Sequence, residues 1–270
     1  MHIIADVGAT KTRIAGSGTL EGFSKPVIFN TPLTYEEGLK RIIEDAQRFA
    51  GDEHIDGIAI GVPARLTRDK RFILKTSNLL GWENKNMVWD LEQTFHTRVL
   101  LENDTALVGL GEAHFGAGRG AEIVVYITIS TGVNGVRIVR GCIDHSAFGF
   151  EIGYQKLNVD NVAENWQDMI SGKAIQETFG KPPRELGKEN SIWEDLANVA
   201  AQGIHNSILH WSPDRVVIGG SMMNEIGISV DRIRERIHEQ LTAFSNPPEI
   251  WHSELSDVGG LWGGLALLKG

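Results

Sequence analysis

The sequence predicts a two-lobed α/β protein. Three observations point there. The chain has 270 residues, more than one hydrophobic core commonly serves. β-rich runs alternate with amphipathic helical segments. Two glycine-turn hairpins, around Gly8 and Gly132, each open a half of the chain that closes in βα elements. The likeness of the halves is one of architecture, not of residues.

The elements follow in order. Residues 2–7 and 12–15 read as strands around the turn Gly8-Ala9-Thr10, and 27–30 add a third. Thr34 and Glu37 have capping-box spacing, and Leu39, Ile42, Ile43, Ala46 and Phe49 recur at helical intervals, so 34–50 is an amphipathic helix. Residues 55–60 form a buried strand ended by Gly61-Val62-Pro63. Residues 87–96 read as a helix, 98–101 as a short strand and 105–115 as a helix. The second half starts near Glu122 with an apolar strand over 123–129, a turn over 132–135 and a returning strand over 136–139. Helices over 194–211 and 229–241 flank a strand over 214–218 that runs into Gly219-Gly220-Ser221. Pro182 and Pro183 favour a loop over 180–190, and a helix of small residues covers 259–268. The expected lobes are 1–115, joined by 259–270, and 116–258.

Composition narrows the function. Hydrophobic residues make up 41% and charged residues 23%, an ordinary globular balance. The formal net charge is -9, with no basic stripe to follow a phosphate backbone, which argues against nucleic-acid binding. The single cysteine, Cys142, excludes an internal disulfide framework and a zinc site of several thiolates. No apolar run approaches the ~20 residues that span a bilayer. Residues 1–6 lack the charged start and apolar run of a signal peptide, so the expected location is cytoplasmic.

Five segments carry chemistry. In Asp6-Val7-Gly8-Ala9-Thr10-Lys11-Thr12 a strand enters a turn of small residues whose N–H groups can approach an anion. Thr10 and Thr12 add hydroxyl donors, and Asp6 a carboxylate suited to hydrated Mg²⁺. An ordinary hairpin turn explains the same residues. Ser130-Thr131-Gly132-Val133-Asn134-Gly135 repeats the pattern, and two such turns suggest two jaws on one phosphate chain; a plain Asn-Gly hairpin is the alternative. Glu102-Asn103-Asp104 follows a strand, where α/β sheets present ligand-binding residues. There a carboxylate can accept a hydroxyl proton, or Asn103 or Asp104 can cap the next helix. Gly219-Gly220 allow a base or ribose to lie on the backbone, or simply turn the chain. Phe150-Glu151-Ile152-Gly153-Tyr154 alone reads as a loop. His145, between Asp144 and Ser146, has only the sequence adjacency of a triad and is also a loop residue.

In this order, the segments resemble the ROK family of sugar kinases and repressors. The set is Asp6-Val7-Gly8-Ala9-Thr10-Lys11, Gly61-Val62-Pro63, Ser77-Asn78-Leu79-Leu80-Gly81-Trp82, Glu102-Asn103-Asp104, Thr131-Gly132-Val133-Asn134-Gly135, Glu151-Ile152-Gly153, Ser171-Gly172 and Gly219-Gly220. The resemblance covers nearly the whole chain. It implies an actin-like, hexokinase-type ATPase fold (ribonuclease H-like), with duplicated βββαβαβα-type units. It implies ATP contacts at Asp6, Gly8, Ala9, Thr10, Lys11, Thr131, Gly132, Gly219 and Gly220, with Mg²⁺ near Asp6. It implies a sugar held by Ala64, Ser77, Asn78, Asn103, Glu151, Tyr154 and Gln167, and Asp104 as catalytic base. Family members are often dimers, so a homodimer is an expectation.

This chain departs from the family pattern at several positions. Ala9 and Ala64 replace glycines, and Tyr154 stands where the Glu-x-Gly-His motif ends in His. Counting back from Ser171-Gly172, the family's second sugar-binding Glu falls on Gln167. Residues 156–170 contain neither Cys nor His, so no zinc site is expected. Ala64-Arg65 is similar to the Gly-Arg pair of N-acetylmannosamine kinases. The expected activity is ATP-dependent phosphorylation of a hexose or N-acetylhexosamine hydroxyl. Two other readings stand beside it. One is a non-catalytic sugar or nucleotide binder, motivated by Ala9, Tyr154 and Gln167. The other is a sugar-sensing repressor, disfavoured because Asp6 leaves no room before it for a DNA-binding domain.

Overall fold

The computed structural model describes residues 1–159 and 162–270. They form two units. Unit 1 comprises Met1–Phe115, His145–Gly149 and Asp257–Gly270, and unit 2 comprises Gly116–Asp144 and Phe150–Ser256.

Unit 1 opens with β1 (His2–Val7), β2 (Lys11–Ser17), β3 (Val27–Asn30) and α1 (Tyr35–Ala50). It continues with β4 (Gly57–Val62), the short hairpin β5 (Arg65–Leu66) and β6 (Ile73–Lys75), α2 (Met87–Phe95), β7 (Val99–Asn103) and α3 (Asp104–Phe115). Its main sheet runs β3-β2-β1-β4-β7. β1, β2 and β3 are antiparallel neighbours, whereas β1, β4 and β7 are parallel. The alternation along β1 explains the layers. Ile3, Ala5 and Val7 pack with Ile42 and Ala46 of α1 and Leu91 of α2, while Ile4 points to the other face. Parallel strands buried on both faces need such continuous apolar runs.

Unit 2 contains β8 (Ile123–Ile129), β9 (Val133–Val139), β10 (Cys142–Ile143), β11 (Lys156–Val159) and β12 (Val162–Asn165). After these come α4 (Trp166–Ile170), α5 (Gly172–Phe179), α6 (Ile192–Trp211), β13 (Arg215–Gly219), α7 (Val230–Gln240) and β14 (Glu249–His252). Its sheet order, β10-β9-β8-β13-β14, repeats that of unit 1: three antiparallel strands, then two more added in parallel. The duplication expected from the two glycine-turn hairpins is therefore present. Val125, Ile127 and Ile129 of β8 share a core with Ala200, Ile204 and Ile208 of α6 and Ile233 and Ile237 of α7.

The last helix, α8 (Gly259–Lys269), returns to unit 1. Leu261 and Leu265 bury the second face of its sheet against Ile4, Ala15 and Ala59. Small residues let α8 lie close to α3: a Cβ at Gly111 would stand 2.8 Å from the Gly263 nitrogen. Among the described residues, no helix is long and apolar enough to cross a membrane.

Some elements differ from expectation. Thr34 precedes α1, but its hydroxyl donates to Glu37 Oε2 at 2.8 Å and caps no backbone N–H. The expected turn over 132–135 is shorter. β9 begins at Val133, paired with Ile129, so Ser130, Thr131 and Gly132 form the loop and Asn134-Gly135 lie in the strand. Gly135 belongs there because the Tyr126 carbonyl oxygen would stand 2.9 Å from any Cβ. The hairpin β5–β6, the strands β10 and β14, and the helices α4 and α5 were not anticipated.

Candidate functional site

In unit 1, β1 ends at the first glycine turn. Gly8 N–H donates to the Lys11 carbonyl at 2.9 Å, and a Cβ on Gly8 would sit 2.9 Å from that oxygen, so a side chain is excluded by contact. The residue after β3 braces the turn: Thr31 donates its N–H to the Thr10 carbonyl at 2.9 Å and its hydroxyl to the Gly8 carbonyl at 2.8 Å. Thr10 and Lys11 are exposed. Thr12 is fully buried and its hydroxyl is 2.9 Å from that of Thr31, so its expected role as a ligand donor is corrected. Thr12 lies on the inward face of a strand, where the side chain brackets the turn from behind. Ala9 lies outside the left-handed region, so its methyl group costs the turn no backbone strain.

Asp6 stands opposite Arg13 in the β1–β2 register. Its carboxyl end packs under the start of α8, where a Cβ on Gly260 would be 2.5 Å from Oδ2. Burial pushes its pKa up to about 7, the nearby Asp104 and Asp257 push the same way, and Arg13 pulls it down. Arg13 itself pairs with Asp257 at 2.9 Å. Gly61, at the end of β4, separates the two acids: a Cβ there would stand 3.6 Å from Asp6 Oδ1 and 3.4 Å from the Asp104 Cα.

The carboxyl end of β7 then delivers Glu102, Asn103 and Asp104. Asn103 caps α3, its Oδ1 accepting the Ala106 N–H at 3.1 Å, and its Nδ2 donates to the Ala64 carbonyl at 3.3 Å. Between the two capping alternatives left by the sequence, Asn103 is the cap. Asp104 occupies the first turn of α3, with Oδ1 accepting the Thr105 N–H at 2.7 Å. A carboxylate at a helix N-terminus is favoured by the aligned peptide dipoles. Ala64 is buried. Ser77 and Asn78 are exposed, on a loop anchored by Thr76, whose hydroxyl accepts the Leu79 N–H at 3.3 Å. Trp82 pins that loop from within, edge-on to Tyr35 and donating to the Pro32 carbonyl at 3.1 Å.

In unit 2, the loop Ser130-Thr131-Gly132 closes through Ser130 N–H to the Gly132 carbonyl at 2.8 Å. Thr131 and Gly132 are exposed. Three further segments converge on this loop. Gly172, at the start of α5, donates its N–H to the Ser130 carbonyl at 2.7 Å. The Ser130 and Ser221 hydroxyls are 2.9 Å apart, joining the loop to Gly219-Gly220-Ser221. Gly220 holds φ at 101°, and a Cβ there would overlap the Ile129 carbonyl oxygen, so only glycine fits. Gly153 packs on Val133, and its absent Cβ would lie 3.3 Å from the Gln167 Cβ. Gln167 Oε1 lies 3.6 Å from where a Gly132 Cβ would be. Glu151 and Tyr154 are exposed on the short turn around Gly153.

Each unit thus gathers its own share of the expected residues. Unit 1 brings together Asp6, the Gly8 turn, Ala64, Asn103 and Asp104, with Ser77 and Asn78 on a neighbouring loop. Unit 2 brings together Thr131, Gly132, Gly153, Gln167 and, through Ser130, the Gly219-Gly220 turn. Sequence reasoning passed over Lys70, which pairs with Glu102. It also passed over Arg13 and Asp257 beside Asp6. Lys70 gives no motif signal, because only the hairpin geometry carries it to Glu102.

A glucokinase of Thermotoga maritima is 22% identical over 271 residues, covering 87% of this chain and 86% of that protein. A fructokinase of Pediococcus pentosaceus is 23% identical, over 70% of each chain. Among solved structures, a ROK hexokinase from Thermus thermophilus superposes with a TM-score of 0.83 at 23% identity, over 99% of each chain. A ROK family glucokinase from Streptomyces griseus, in complex with glucose and AMPPNP, gives 0.81 at 21% identity, over 100% of this chain and 99% of that one. The actin-like ATPase fold expected from the sequence is the fold these structures share. The sequence model of the ROK family matches residues 3–270, and the chain belongs to that family.

Proposed function

We propose that the protein is an ATP-dependent sugar kinase that phosphorylates a hydroxyl of a hexose or N-acetylhexosamine, with Asp104 as general base. The observation that carries this reading is the position of Asp104: at the strand end beside Gly61 and Asp6, on a helix start fixed by the Asn103 cap. The glucokinases and the hexokinase among the proteins it is similar to support it.

Phosphoryl transfer asks little covalent chemistry of a protein. It needs in-line positioning, charge neutralisation and a base at the attacking hydroxyl. Ser77, Asn78 and the second N–H of Asn103 would hold sugar hydroxyls, with Glu151, Tyr154 and Gln167 reading the rest of the ring. Asp104 would accept the hydroxyl proton as the oxygen attacks. The Gly8 turn, with Thr10 and Lys11, would hold phosphate oxygens, as would Thr131-Gly132. Gly219-Gly220 would carry adenosine. Mg²⁺ would supply charge neutralisation on the phosphates. Its fit would be to Asp6, a carboxylate near the end of the strand before the Gly8 turn that lies beside Asp104. The same reading places the protein in the cytoplasm.

A coupled ADP assay with ATP–Mg²⁺ and a panel of glucose, mannose, fructose and N-acetylhexosamines tests this. The expected result is turnover of at least one sugar, lost by about 10²-fold or more in a folded Asp104→Asn protein. Each tenfold loss is worth about 1.4 kcal/mol of barrier. Full activity in Asp104→Asn would sink the base assignment. Sugar binding without turnover would favour a non-catalytic binder, to which Tyr154 and Gln167 would then be the clue.

A further inference from the structure

We propose that Lys70 is a positioning residue, latching the hairpin β5–β6 onto the end of β7 and so setting where the sugar-holding segments stand relative to Asp104. This inference rests on the sugar kinase reading.

Three observations meet at Lys70. It holds φ at 53°, in the left-handed region that long side chains rarely adopt. The turn does not need a lysine: it closes on itself through Thr67 N–H to the Phe72 carbonyl at 3.1 Å and Lys70 N–H to the Thr67 carbonyl at 2.8 Å. The Thr67 hydroxyl also accepts the Phe72 N–H at 3.0 Å. Glycine would suit the backbone better, so what holds lysine there lies beyond the turn.

The Lys70 ammonium binds Glu102 Oε2, with the lysine side chain 48% exposed and the carboxylate 6% exposed. A carboxylate that deep needs a counter-charge and partners for both oxygens. Its second oxygen, Oε1, accepts the Asn103 N–H at 2.9 Å. One buried carboxylate therefore ties the hairpin tip to the backbone of the residue before Asp104.

Both stems of the hairpin lead to substrate-holding positions. Ala64 precedes β5, and its carbonyl takes the Asn103 amide. Ser77 and Asn78 follow β6 after Thr76. Without the latch the hairpin still closes, and Arg71 to Glu92 of α2 at 2.5 Å and the buried Leu66 and Ile73 still hold its stem, but the named side-chain tie from the hairpin to Asn103 is then the amide-to-carbonyl bond of 3.3 Å. A displacement of about 1 Å in such an arrangement is enough to cost orders of magnitude in rate.

The test compares Lys70→Gly, Lys70→Met and Lys70→Arg in the full chain. Lys70→Gly relieves the left-handed backbone, so any loss it shows does not come from a strained turn. The expected result is a sugar KM raised about tenfold or more in the glycine and methionine variants, with the ATP KM changed less than about twofold. Arginine, which keeps the charge, restores most of the sugar KM. Amide hydrogen exchange over residues 65–75, measured without ligand, rises in Lys70→Gly and Lys70→Met. A wild-type sugar KM in Lys70→Gly overturns the proposal. So does a loss shared equally by both substrates and unrescued by arginine. If the wild-type chain turns over no sugar, the kinase reading fails, and the exchange arm still decides the latch: unchanged exchange overturns it.

Discussion

Asn103 joins two elements with one side chain: Nδ2 donates to the Ala64 carbonyl at 3.3 Å, and Oδ1 accepts the Ala106 N–H at 3.1 Å. The two bonds can be separated. Asn103→Ala loses both and is expected to cost about 1 kcal/mol of folding stability, the usual worth of an N-cap. Asn103→Ser keeps a capping oxygen and loses the amide donor to Ala64, so its stability should stay nearer wild type than that of Asn103→Ala while sugar affinity falls. Urea denaturation alongside sugar titration checks the split; equal behaviour of the two variants would count against it.

Ala9 takes the place of the family's glycine in the turn after Gly8 without entering the left-handed region. Ala9→Gly therefore relieves nothing. It should lower stability by about 0.5–1 kcal/mol through added freedom of the unfolded chain, and leave the ATP KM within about twofold. A clear rise in melting temperature would show that the alanine is strained after all.

Gly220 has no such latitude. Its φ of 101° and the Ile129 carbonyl oxygen leave no space for a methyl group. Gly220→Ala should cost about 2 kcal/mol or more and displace Ser221 from Ser130. The measurement is calorimetric titration with AMPPNP and Mg²⁺, in which affinity should fall; wild-type affinity would count against the role of the turn.

Asp6 links stability to pH. The group titrates at 3.8 in a free chain and at about 7 here, raised first by burial and then by Asp104 and Asp257, against Arg13. The folded state therefore holds the proton more tightly. The stability tied to that proton is full below about pH 4 and is lost as the pH rises through 7. Asp6→Asn removes the ionisation. It should exceed wild type by on the order of 1–2 kcal/mol near pH 8, allowing for partial exposure to water, with the gain fading toward about pH 4. Chemical denaturation across that range checks the sign; a gain that grows on acidification would contradict it.

Long periodic segments were readable because their signal is local: α1, β8, α6 and α8 all announce themselves in residue spacing. The hairpin of unit 2 was misplaced because Asn134-Gly135 has the composition of a turn, while the Ile129–Val133 pairing and the crowding at Gly135 are tertiary. The strands β5, β6 and β14 are too short and too polar to show period two. At the site, the acids and glycines stood out because few residue types serve phosphate chemistry. What stayed hidden was side-chain direction. Thr12 looked like a ligand donor until strand alternation turned it inward, and nothing in the residues around Lys70 points to Glu102 as its partner.

The close approach of α8 to α3 has a consequence for biosynthesis. Leu261 and Leu265 cover the sheet face of Ile4 and Ala59, and Gly260 closes over Asp6, yet these residues leave the ribosome only after all of unit 2. Unit 1 therefore waits, half-covered, while a later segment of the same polypeptide is translated. The cover over Asp6, and Asp257 beside it, are added last.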